Sequence, residues 1–473
     1  MSLRNGNEKT WVFAAPAVLA AAFLLSVSPL IQADEIVDPK RFAFDIPAGP
    51  VKHVEPANVL TRDDSGATVV AKLHVVVGEN SIVMLPSGEL VARTPTEIRL
   101  ADKPFVAETK EQLAERLTGG PLAGFRVKTS RRYVYVYNTS DEFVEGTARI
   151  LESMFFGLVK YLREMRLSVH EPELPLVIIM FKTKAEYQRF RKMPPGVVAY
   201  YNIVSNEVAM YEQSALANIK PELAIQQKIS TIAHEGVHQI LHNIGVQQRL
   251  SVWPQWISEG TAEFFAPTTV GKRFTWKGAG KVNDLRMFEL ERYIKARAAD
   301  APGGQMIEQT VLAAKLRSTG YATSWALVHY LARYKRAQFH RLMRAMSEIR
   351  PLEGATKVEN PGVVKSNLVE FKETFGDDLA DMERLLVGHL KKLPYDDPFA
   401  EWPHYIAMVA LHPPSKRNRL ANVFHTKQQA ERWIQQTMAK VPKERREGAK
   451  AAIGRAVNRA AAEQAATRWL NNG

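Results

Sequence analysis

The 473-residue chain contains no cysteine. That absence excludes disulfides, thiolate nucleophiles, Cys-ligated zinc and iron–sulfur clusters together, so any metal must be held by His, Asp or Glu. No glycine-rich phosphate loop, serine-centred nucleophile elbow or kinase signature occurs either. What is present is the balance of an ordinary globular protein, 46% hydrophobic and 24% charged, which excludes disordered and collagen-like chains. Burial is ample at this length, either as one large core with satellites or as two to three domains.

The net charge of +13 suggests an acidic partner until its position is considered. From Leu411 onward there are 13 basic and four acidic residues. The tail is therefore strongly basic and the body between it and the N-terminus nearly neutral. Arg4 and Lys9 precede an uncharged run from Trp11 to Ala33 that Asp34 and Glu35 close. This reads as a secretory signal with its apolar stretch at Val18–Val27 and a cleavage site at Ile31-Gln-Ala33, or as a retained membrane anchor. Either way the expected location is outside the cytoplasm, periplasmic or secreted, a setting that a cysteine-free chain suits. Export weighs against nucleic acid as a partner. The basic tail is expected to fold as helices at Gln428–Met438 and Lys443–Leu470, forming a cap on the body or gripping an anionic envelope or membrane surface.

Residues 34–105 alternate in short β-like runs, Val69–Val77, Ser81–Leu85 and Glu89–Ala92, punctuated by Gly and Pro. They predict a small β-rich module, followed by a linking helix within 106–128. From Tyr133 the pattern mixes strands (Tyr133–Tyr137, Leu174–Phe181, Val197–Tyr201, Glu207–Tyr211) with helices (Asp141–Met165, Lys184–Arg191), and after Pro221 almost everything reads helical. The expected class is α+β: a mixed sheet, then a helical subdomain, together spanning 129–400, with a basic tail at 401–473.

His234-Glu-Gly-Val-His238 falls inside the helix expected from Pro221 to Asn243. Spacing i, i+4 puts both imidazoles on one face, one turn apart, where they can reach one zinc ion while Glu235 deprotonates a water. A third ligand must come from elsewhere. Glu259, in Trp256-Ile-Ser-Glu-Gly-Thr-Ala-Glu-Phe-Phe265, follows His238 by 21 positions after a turn at Trp253-Pro254. His242 is expected to pack near the helix end, and Ile244 stands where a metzincin would need its third histidine.

This arrangement, His-Glu-x-x-His followed by Glu in a Trp-x-x-Glu-Gly-x-Ala context, resembles the gluzincin metallopeptidases. It is closest to a bacterial family of unknown function with a peptidase-like core, which shares the His-Asn pair at 242–243 and Gly-Lys-Val-Asn at 280–283. The resemblance runs from about Tyr133 to Leu393. It implies one Zn2+ ligated by His234, His238 and Glu259, with Glu235 as general base in hydrolysis of a peptide or protein substrate. It further implies that Glu263 orients a ligand histidine through its other ring nitrogen. Tyr321, or its rival Tyr330, would donate to the developing oxyanion. Substrate backbone would pair with an edge strand just before the zinc helix, taken as the strand bearing Ala209, Met210 and Tyr211. Aminopeptidases of the resembling group carry a glutamate where this chain has Tyr211, which favours an endopeptidase. The alternative is a non-catalytic envelope binding or scaffold protein that retains the fold.

Overall fold

In a computed structural model of the protein, which describes residues 36–213, 221–269, 275–297, 301–353, 361–413 and 415–471, the apolar runs at Tyr133–Tyr137 and Leu176–Phe181 are buried along their whole length. The expected export segment, residues 1–33, lies outside the described residues. Complete burial of both runs follows from the sheet they form, which is covered on both faces. Its strands are β1 (Arg126–Thr129), β2 (Tyr133–Tyr137), β3 (Leu176–Phe181), β4 (Ala199–Asn202) and β5 (Glu207–Tyr211), in the order β4-β5-β3-β2-β1. Strand β3 runs parallel to β2 and β5, while β4 and β1 are antiparallel to their neighbours.

Alternate residues of each strand serve opposite layers. Tyr133, Tyr135, Ile178 and Met210 enter the main core with helix α1 (Asp141–Glu164), whereas Val134, Val136 and Ile179 pack against Leu113, Leu117 and Tyr187 on the other side. Helix α1 starts where the Ser140 hydroxyl accepts from the Phe143 N–H, and it buries a stripe of Val144, Ala148, Leu151, Phe155, Leu158 and Leu162. Beyond the sheet the chain continues into α2 (Pro221–Asn243), α3 (Gln255–Phe265), α4 (Asp284–Ala296) and α5 (Ser318–Tyr334). The chain is therefore α+β, as its pattern predicts. Among the described residues no helix is long and apolar enough to cross a membrane.

The β-rich module is a seven-stranded antiparallel sheet between Ile36 and Leu100. One face closes over Leu250 and Leu352 of the body. Arg249 fastens the junction from within, donating to Gly88 O at 2.6 Å and to Ile203 O and Val204 O in the β4–β5 turn.

Two expectations fail here. The tail is not wholly helical: β6 (His404–Ala410), β7 (Arg419–Phe424), α6 (Lys427–Lys440), β8 (Lys450–Ala456) and α7 (Arg459–Asn471) form an antiparallel sheet β7-β6-β8 with helices. Lys450–Ala456 has helix-favouring composition, but pairing with β6 overrides that preference, and Gly448 at φ 84° breaks the helix before it. The strand of Ala209, Met210 and Tyr211 is also not an edge. It lies between β3 and β4, and the edge on that side of the sheet belongs to β4. The tight turn at Ser205-Asn206 folds β4 outside β5, and sequence periodicity alone does not say which strand of a hairpin faces outward.

Candidate metal centre

Helix α2 presents His234 and His238 on one face with ring centroids 4.9 Å apart. Their Nε2 atoms are 3.2 Å from each other. Helix α3 returns beside α2 and brings Glu259 Oε2 to 3.0 Å from His234 Nε2 and 3.4 Å from His238 Nε2. Close approach of these helices to their neighbours depends on glycine. A Cβ on Gly236 would stand 2.4 Å from Leu151 of α1, and one on Gly260 would stand 2.7 Å from the Ser324 carbonyl oxygen of α5. Each glycine adjoins a functional carboxylate, so the absent side chain sets how deeply that carboxylate sits.

Three donor atoms in one small triangle, with side chains only 10–16% exposed, can hold a metal ion. Glu263, one turn beyond Glu259, lies 3.0 Å from His234 Nδ1 through Oε1. It is itself buried and held by Asn283 Nδ2 at 2.8 Å and by Arg286. Burial opposes its ionisation, yet Arg286 and His234 draw its pKa down to about 2. Glu259 is likewise pulled well below the carboxylate range against its burial, by His238 and His234. Glu235 differs: burial pushes its pKa up, and the two histidines only moderate the rise. One of its oxygens accepts from the Tyr201 N–H of β4 at 2.8 Å.

Tyr321, in the first turn of α5, places its ring 6.0 Å from that of His234 and under the Arg286 guanidinium at 5.2 Å. Burial, then Glu259 and Glu235, push its phenol pKa far up, so it stays a proton donor. Tyr330 is turned away and packs on Tyr334 and His389. His242 hydrogen-bonds Gln247 O and stacks on Tyr201, the packing role expected of it. Of the strand residues singled out in the sequence, Ala209 and Met210 are buried in the sheet and Tyr211 packs against Tyr187. None of the three lines the cleft.

The cleft has a volume of about 960 Å³ and runs from Val197–Tyr200 past His234, Glu235 and Tyr321, along α4 and up to the C-terminal module. A family model described as "Protein of unknown function (DUF1570)" matches residues 228–353. That stretch contains the part of α2 that bears His234 and His238, together with α3, α4 and Tyr321, and excludes the main sheet and the C-terminal module. No curated protein matches the chain.

A second group, Asp397, His404 and His425, also has the donors to hold a metal ion. There Asp397 Oδ2 is 4.0 Å and 3.9 Å from the two histidine nitrogens, and it accepts from Arg459 Nη1 at 2.8 Å. A guanidinium already neutralises this carboxylate, and an added cation would meet its charge. The first group has the tighter triangle and no such competitor. Sequence reasoning found its three members and Glu263, but missed the roles of Asn283 and Arg286 in bracing Glu263. Asn283 closes the Gly-Lys-Val-Asn signature and caps α4 by accepting from the Arg286 N–H. A cap residue ahead of an apolar-periodic run was the available signal.

Proposed function

We propose that the protein is an exported, zinc-dependent peptidase of gluzincin type that cleaves internal peptide bonds. The observation that carries this reading is the donor triangle, with sides of 3.0, 3.2 and 3.4 Å. Ligand atoms about 2.0–2.1 Å from a tetrahedral zinc ion stand about 3.3 Å apart, so His234, His238 and Glu259 fit that ion and leave a fourth position open. Zinc in such a site supplies a Lewis acid for the scissile carbonyl and lowers the pKa of water to about 7.

The chain's own residues do the rest. Glu235, with its pKa raised by burial, takes the proton from the attacking water and passes it to the leaving amine. Tyr321 O–H donates to the oxygen on which charge develops. The edge strand β4 offers backbone groups to an extended substrate, as in strand addition. No carboxylate lies on β4 to anchor a free amino terminus, since Ala199-Tyr-Tyr-Asn202 is uncharged, which supports endopeptidase action. Export rests on the N-terminal pattern of Arg4, Lys9 and the uncharged run after them.

Purified protein should contain or acquire close to one zinc per chain. Glu235→Gln should retain that metal while hydrolysis of an unstructured protein substrate falls ~10²- to 10⁴-fold. Full activity in Glu235→Gln defeats the mechanism, and failure to bind zinc returns the chain to the binding or scaffold reading.

A further inference from the structure

The C-terminal module is part of the cleft. Helix α6 turns Gln429, Arg432, Trp433 and Gln436 toward it, an i, i+3, i+4, i+7 stripe that forms one continuous helix face. The adjoining face, through Ala430 and Ile434, packs on the module's own sheet with Ala407 and Ile453. Trp433 also packs on Phe424 of the module's sheet, with ring centroids 6.0 Å apart, whereas the half-buried Gln429 and the exposed Arg432 and Gln436 are polar groups on the cleft side.

This wall is held rigidly against α4. Arg459 of α7 grips Glu291 with two bonds of 2.8 and 3.0 Å and Asp397 with a third of 2.8 Å. The Phe288 ring of α4 packs tilted on Phe399 and edge-on to His425, with centroids 4.4 and 4.5 Å apart. The same helix begins with Asn283 and Arg286, which brace Glu263 behind His234. One element therefore sets both the metal centre and the distant wall.

Charges along the cleft are unevenly matched. Arg286 is paired with Glu263 and Glu289, and Lys295 with Glu291. Arg292 and Arg432 line the cleft with no carboxylate partner among the described residues. Gln429, its amide oxygen turned toward Arg292, accepts from Nε and Nη2 at 2.8 Å each and aims the guanidinium. Arg292 lies six residues along α4 from Arg286, about 9 Å at 1.5 Å per residue.

We propose that the C-terminal module is a substrate-recognition wall and that its Arg432, with Arg292 of α4, forms a subsite for an acidic side chain of the substrate in the same cleft as His234 and Glu235. The subsite deepens the peptidase reading and rests on it for the identity of the ligand as a polypeptide. Both arginines are solvent-exposed, so replacing them leaves the fold intact.

The test uses the full chain loaded with zinc and three fluorescent peptides of one sequence bearing Glu, Gln or Lys at the tested positions. Binding is measured on the Glu235→Gln protein and kcat and KM on the parent. The Glu peptide should bind about five- to twentyfold more tightly than the Gln peptide, the range expected of two exposed charge contacts. The preference should fade in 1 M salt. Arg292→Gln/Arg432→Gln should abolish the preference by raising KM for the Glu peptide, with kcat and zinc content unchanged. Arg432→Glu should shift preference toward the Lys peptide. Equal binding of the three peptides, or a preference that survives the double substitution, overturns the subsite. Charge-dependent binding without turnover by the parent instead defeats the peptidase reading and leaves the subsite standing.

Discussion

Glu263 is the residue whose replacement most directly probes how the candidate metal centre is built. Its carboxylate is buried, with Arg286 and Asn283 on one side and His234 Nδ1 on the other. Glu263→Gln keeps the volume but removes the charge that Arg286 faces, leaving that guanidinium with Glu289 alone at 2.7 Å. Breaking a buried ion pair from one side costs about 3–5 kcal/mol. The remaining Glu289 contact and the partial exposure of Arg286 put this case near or below the lower bound. On the proposed reading Glu263 orients the ligand His234, and removing such a group typically weakens metal binding about 10–100-fold, or about 1.4–2.7 kcal/mol. Two measurements follow: urea denaturation of metal-free protein, and zinc affinity by competition with a chromophoric chelator. The double substitution Glu263→Gln/Arg286→Met should regain much of the lost stability, because no charge is left buried alone, yet should not regain zinc affinity. Zinc affinity within twofold of the parent in Glu263→Gln would falsify the bracing role, as would a double variant no more stable than the single one.

Two further outcomes concern the fold around the site. Gly260→Ala places a methyl group 2.7 Å from both the Ser324 carbonyl oxygen and Val328 Cγ2, so α3 must move off α5. Overpacking of this kind costs about 1–3 kcal/mol, and displacing the neighbouring Glu259 should also weaken zinc binding; a variant within 0.5 kcal/mol of the parent and with normal affinity contradicts the close-packing argument. His74, half-buried and donating from Nε2 to Arg249 O at 2.8 Å, has its pKa pushed by desolvation from the usual 6.5 to about 4. The unfolded chain binds this proton first, so the stability is complete above pH 6.5 and is lost as pH falls from there toward 4. Linkage gives a loss of about 2 kcal/mol between pH 7 and 5, and His74→Gln should remove about that much acid sensitivity from denaturation midpoints. Parallel pH profiles for parent and variant would refute the assignment.

The parts of the site legible in the sequence are those fixed by local geometry. His234, Glu235 and His238 share a helix, and a 3.6-residue period dictates which of them face together. The main-sheet strands and α1 were readable because full burial leaves continuous apolar runs and helical stripes. Glu259 and Glu263 were legible through a four-residue spacing on a second helix, although no periodicity states that this helix must cross the first. The edge strand was misassigned because a hairpin's two strands look alike until the sheet orders them. The tail was misread where alanine-rich text with a good helical propensity pairs instead with His404–Ala410.

By itself, the sequence determined that a metal would be held by nitrogen and oxygen donors, since cysteine is absent, and that two of those donors lie one helical turn apart. Tertiary structure alone decided that Glu259 comes within 3.0 Å of His234, that β4 rather than β5 is the edge strand, and that the basic tail is a wall of the cleft. The division follows from range. Neighbours along the chain meet by backbone geometry, whereas residues 168 apart, such as Glu291 and Arg459, meet only because burial of the whole core places them side by side.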